Sequence, residues 1–89
     1  MARYRVLTWR GIPAQVKVRD DAGRRVSRPL PDRFQQEIDR VAMQVGAIEG
    51  DAYLAEWTWS DEQEREGSAE EVAAQVVDEL VADWDRQRT

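Results

Sequence analysis

The chain has 89 residues, 42% of them hydrophobic and 35% charged, and a net charge of −5. It holds no cysteine and no histidine, which removes disulfides, thiolate zinc sites, iron–sulfur ligation, the usual general base and the commonest metal ligand, and with them the common hydrolytic triads. The charge is split between a basic half, residues 1–45 at +5, and an acidic half, residues 46–89 at −10, a division that in a small domain reads as one half of the fold neutralising the other.

The first predicted element is a strand over residues 3–9, where Tyr4, Val6 and Thr8 alternate with Arg3, Arg5, Leu7 and Trp9. Ala14 to Arg19 alternates more cleanly, with Ala14, Val16 and Val18 on one side and Gln15, Lys17 and Arg19 on the other. Gly11-Ile12-Pro13 between them is short enough to close an antiparallel hairpin, with Pro13 as the first residue of the second strand. Asp20-Asp21-Ala22-Gly23 reads as a turn, and Arg24 to Arg28 as a short edge strand bounded by Pro29 and Pro31.

Pro31-Asp32 opens a helix with Phe34, Ile38, Val41, Ala42 and Val45 on one stripe and Gly46 as its C-cap. A loop at Ile48-Glu49-Gly50-Asp51 leads to a strand in which Tyr53, Ala55, Trp57 and Trp59 alternate with Leu54, Glu56, Thr58 and Ser60. The acidic run Asp61 to Gly67 reads as a solvated connector, because its carboxylates lack the spacing of a calcium loop. Ser68-Ala69-Glu70-Glu71 is a capping box before a helix that sets Val72, Ala73, Val76, Leu80 and Trp84 on one side, and Asp85 to Thr89 should fray.

These elements define an α+β fold in one domain, residues 1–89: a two-layer sandwich of order β-β-(β)-α-β-α. A small three- to four-stranded sheet carries two helices on one face. The expected core is Tyr4, Val6, Val16, Val18, Tyr53, Ala55, Trp57 and the two helical stripes, with a right-handed crossover letting the Trp57 strand pair with the first one, in parallel if it skips over the hairpin partner. The opposite sheet face is left uncovered, with Arg5 expected to pair with Glu56 across it. On that face Arg3, Arg5, Leu7, Trp9, Lys17 and Arg19 form the candidate partner-binding set, since tryptophan and arginine are over-represented among interface hot spots.

Four stretches together, "WRGIPAQVKV" at 9–18, "LPDRFQQEIDRVAM" at 30–43, "DAYLAEWTW" at 51–59 and "GSAEEVAAQVVDEL" at 67–80, resemble the bacterial virulence-factor domain family. Its members are small stand-alone proteins, and the same module closes the larger, HEAT-repeat-containing conserved virulence factor C. The resemblance implies an accessory or adaptor role, with a link to cofactor or one-carbon methyl-transfer systems. It assigns no catalytic residue.

The expected function is therefore that of a non-catalytic protein-interaction module, an adaptor or accessory subunit of a bacterial assembly, with a homodimer as its simplest form. The alternative is a small regulatory or nucleic-acid-binding protein using the Arg/Trp face. No enzyme activity, metal or cofactor is expected. No apolar run approaches ~18 residues and the N-terminus has no apolar leader, so neither a membrane span nor a signal peptide is expected and the cytoplasm is the expected location.

Overall fold

A computed structural model describes residues 1–46 and 50–87. β1 (Ala2–Trp9) and β2 (Ile12–Asp20) form the antiparallel hairpin, closed by two residues, Arg10 and Gly11, both at positive φ (50° and 84°). Two such residues make the turn whose twist matches a right-handed hairpin. The turn therefore sits one residue earlier than Gly11-Ile12-Pro13. Pro13 lies inside β2, opposite Thr8, beside a register shift at which Ala14 is the extra residue. A bulge is one of the few places in a sheet where a missing N–H is tolerated.

β3 (Arg25–Pro29) pairs with β2 as the expected edge strand, and α1 (Asp32–Val45) follows, ending on Gly46 at φ 75°. Phe34, Ile38 and Ala42 are buried, while Val45 at the end of the stripe is exposed. Ile48 and Glu49 of the expected loop lie outside the described residues.

The stretch expected to form one strand from Tyr53 divides instead. Gly50–Leu54 is a short helix, α2, and only Trp57–Trp59 forms a strand, β4. The Ala55 N–H donates to the Asp51 carbonyl at 2.8 Å, a helical bond, and Gly50 supplies a positive φ of 72° at the entry. Tyr53 and Trp57 are four apart, a spacing compatible with a helical turn as well as with a strand.

β4 pairs with β1 antiparallel, not parallel. The extra reversal through α2 brings the chain into the sheet from the other end. Gln63–Arg65, expected as solvated connector, forms a further strand, β5, which also pairs antiparallel with β1. The sheet order is β3-β2-β1-β4, with β5 continuing alongside β1.

α3 (Ala69–Gln87) covers the sheet with Ala69, Val72, Ala73 and Val76 buried. Ser68 caps it: its hydroxyl accepts the Glu71 N–H at 3.2 Å and donates to the Glu71 carboxylate, also at 3.2 Å. The helix continues through Asp85 to Gln87, past the expected fraying point, because Arg33 of α1 grips Asp85 with two hydrogen bonds at 2.6 and 3.0 Å. Arg88 and Thr89 of the expected frayed end lie outside the described residues. Phe34 and Trp84 meet at 5.5 Å between ring centres, joining the two long helices over one sheet face.

The core contains the expected Tyr4, Val6, Val16 and Val18, together with Ala2, Trp9, Ile12 and Leu30. Tyr53 and Trp57 are half-buried against it, and Ala55 is exposed. The molecule is 19 Å in its thinnest dimension, room for one sheet and one helical layer. Among the described residues no helix is long and apolar enough to cross a membrane.

Candidate functional site

Residues directly opposite one another in an antiparallel sheet share a face, so the register lays out the uncovered face in rows. One row runs Glu64, Arg3, Arg19 and Arg25 across β5, β1, β2 and β3. The next holds Arg5, Lys17 and Ser27, and the one after it Trp59, Leu7, Gln15 and Pro29. Of the six residues singled out from the sequence, Arg3, Arg5, Lys17 and Arg19 thus stand together and exposed, with Leu7 half-buried beside them.

Trp9 is the correction. It was expected to stand exposed among these cations, and its exposure is 0% within a single chain. Its row-mates across the strands are Ile12 and Trp57. Tyr53 of α2 packs on it at 5.6 Å between ring centres, and the Trp9 indole N–H donates to the Tyr53 backbone carbonyl at 2.9 Å. The segment that the alternation placed as a strand folds over this end of the sheet instead and closes it. Ile12 and Pro13, successive residues of β2, are both buried, as expected where both sides of a strand are covered.

Trp59 supplies the exposed aromatic surface expected of Trp9. It is 39% exposed, and the Lys17 ammonium lies 5.2 Å from its ring centre, within cation–π range. Its place follows from a break in the strand along β1. Between the β4 and β5 pairings three residues, Ser60 to Glu62, lie against two of β1, Arg5 and Val6. Ser60 fastens the break from both of its groups: the Val6 N–H donates to its hydroxyl and its own N–H donates to the Val6 carbonyl, each at 2.9 Å. One extra residue flips the alternation, so that Trp59 and Glu62, three apart, reach the same face.

The acidic run therefore lies on the basic face. Glu62 approaches Arg3 at 3.8 Å and Arg5 at 3.7 Å, and Glu64 approaches Arg3 at 3.6 Å. Glu56, expected opposite Arg5, pairs instead with Arg10 at 3.7 Å. Lys17, Arg19 and Arg25 make no ion pair among the described residues. With Arg3, Arg5 and Glu62 they line an open concavity of about 410 Å³.

Beneath the sheet the charges are structural. Arg65 crosses the Tyr4 ring at 5.4 Å and binds Glu79 of α3 through both carboxylate oxygens at 2.6 and 2.8 Å, which holds the Glu79 carboxyl below its ordinary range. Asp20 accepts the Ala22 and Arg24 N–H groups at 3.0 Å each and the Ala69 N–H at 3.3 Å. These backbone donors, Arg24 foremost, pull its carboxyl below the usual value. One side chain thus closes the turn after β2 and caps the first turn of α3. Among the described residues no three carboxylates gather as a set of metal ligands.

A two-layer α+β domain with its two long helices on one sheet face and a cationic, aromatic-bearing opposite face is the class these features define. A family model described as "Virulence factor" matches residues 7–89, and the chain belongs to that family. No curated protein and no solved structure matches it.

Proposed function

We propose that the protein is a non-catalytic interaction module, an accessory subunit that binds a protein partner through the sheet face opposite its helices. The observation that carries this reading is the pairing of Trp59 with Lys17 on a face where Arg3, Arg5 and Arg19 also stand exposed. An aromatic and several arginines on one rigid sheet are the groups that anchor protein interfaces. Strands hold such side chains in place at little further entropic cost on binding.

The homodimer is the weaker form of this reading. A two-fold contact through the face would set Arg3, Arg5, Lys17, Arg19 and Arg25 of one copy against the same residues of another, and like charges brought together oppose association. A link to cofactor or methyl-transfer assemblies belongs to the same proposal and rests on the family likeness alone, and a cytoplasmic setting belongs to it as well.

Affinity capture from the native cell tests it, comparing the wild-type protein with a Lys17→Glu/Trp59→Ala variant whose fold is checked by circular dichroism. Proteins held by the wild type and released by the variant support the proposal. An identical captured set would overturn it, and light scattering on the same samples reports whether the chain self-associates.

A further inference from the structure

We infer that the arginine row across β1, β2 and β3 is a docking site for an acidic, extended segment of the partner protein; this rests on the interaction reading above. Arg3, Arg19 and Arg25 stand directly opposite one another, and like charges so placed destabilise a sheet. The chain itself answers only part of that repulsion. Glu62 and Glu64 attend to Arg3 and Arg5, while Lys17, Arg19 and Arg25 have no ion pair among the described residues. A carboxylate partner laid along the row would relieve the remainder.

The chain also shows what the face accepts. Glu62 and Glu64 come from one segment, two residues apart, and reach neighbouring arginines from the end of the row. Successive strands are about 4.8 Å apart, so the three arginines span about 10 Å, and an extended peptide presents every second side chain at about 7 Å. Two alternate carboxylates therefore reach across the row. Guanidinium groups are suited to carboxylates because their donors pair in a fork.

A nucleic acid fits the same face less well. Single strands are held by several stacked bases and many phosphates. Here the exposed tryptophan is already faced by Lys17, only Lys17, Arg19 and Arg25 of this face lack an ion pair among the described residues, and the whole chain carries −5. The match in size and charge is to a short acidic peptide.

Fluorescence anisotropy tests this with a labelled synthetic peptide alternating glutamate and threonine, a lysine–threonine counterpart, and an oligothymidylate. The glutamate peptide should bind and the other two should not. Arg19→Glu/Arg25→Glu should weaken it at least about tenfold, the effect of losing one charged hydrogen bond. In this variant positions 19 and 25 remain a like-charged pair, as in the wild type, and position 19 becomes opposite in charge to Arg3, all on an exposed face, so its fold should hold. Glu62→Gln/Glu64→Gln should bind several-fold tighter, because it frees Arg3 and Arg5.

Peptide affinity unchanged in Arg19→Glu/Arg25→Glu, or binding of the oligothymidylate alone, would overturn the inference. A peptide that fails to bind while native capture still depends on Lys17 and Trp59 sinks the acidic docking site and leaves the interaction module standing. Capture that ignores Lys17 and Trp59 sinks the module itself.

Discussion

The Trp9 indole N–H donates to the backbone carbonyl of Tyr53 at 2.9 Å, tying the end of β1 to the helix that covers it. The bond joins residues 44 apart in sequence and satisfies the one polar atom of a side chain that is otherwise fully enclosed. Trp9→Phe removes the donor and part of the volume, and should cost about 1–3 kcal/mol in urea unfolding; Trp9→Ala should cost about 3–5 kcal/mol. A Trp9→Ala protein as stable as the wild type would show that the indole is not part of the core.

Trp59 should behave differently. It is more than a third exposed, with Lys17 over its ring, so Trp59→Ala should change stability by less than about 1 kcal/mol. The contrast between the two tryptophans, read by thermal melts of both variants, separates the buried aromatic from the presented one.

Asp20 sets an acid limit. Its carboxyl is held below the ordinary value by the N–H groups of Arg24, Ala69 and Ala22. The charged form therefore binds the folded state better. Its contribution is complete above the unfolded carboxylate range, about pH 4, and disappears as pH falls through the lower folded value. Asp20→Asn should melt several degrees below the wild type at neutral pH, and the gap should narrow on acidification. A gap that widens in acid would contradict this role.

The Arg65–Glu79 bridge fastens β5 to α3 with two hydrogen bonds, yet more than half of the Glu79 side chain is exposed. Solvent screening keeps such a pair small, so Glu79→Gln should cost no more than about 1 kcal/mol, and less in high salt. Because the folded Glu79 carboxyl is lowered, this contribution too belongs to neutral pH and is lost in acid.

Gly46 ends α1 at φ 75°, with nothing among the described residues within 4 Å of where a Cβ would stand. Only backbone strain opposes a side chain there. Gly46→Ala should cost about 1 kcal/mol, and Gly46→Asn less, because asparagine tolerates the left-handed region. Equal melting points for all three proteins would show that this cap does not limit stability.

The elements legible in the sequence are those whose signals are local. The alternation of Tyr4, Val6, Val16 and Val18 fixes which side of the hairpin is buried, and the stripes from Phe34 and Val72 fix which sides of α1 and α3 cover it. Gly46 and Ser68 mark helix ends through backbone geometry that needs no distant partner. The basic residues of the open face follow from the same period-two reading, and so Arg3, Arg5, Lys17 and Arg19 could be placed together from sequence.

The fate of Trp9 and of the segment after α1 was not local. Tyr53 to Trp59 carries a pattern that serves a strand or a helical turn, and the choice is made by what the segment packs against. Covering Trp9 with Tyr53 favours the turn. In the same way, Gln63 to Arg65 is too short and polar to declare itself a strand; it becomes one because β1 offers an open edge and Arg3 and Arg5 attract Glu62 and Glu64.

Sequence alone thus determined an α+β layering, one buried sheet face and one basic face, because side-chain periodicity and capping act within a few residues. Tertiary structure decided which tryptophan is sealed and which is presented, and which arginines are already neutralised. Those outcomes depend on contacts between residues tens of positions apart, whose free energies no single stretch of the chain contains.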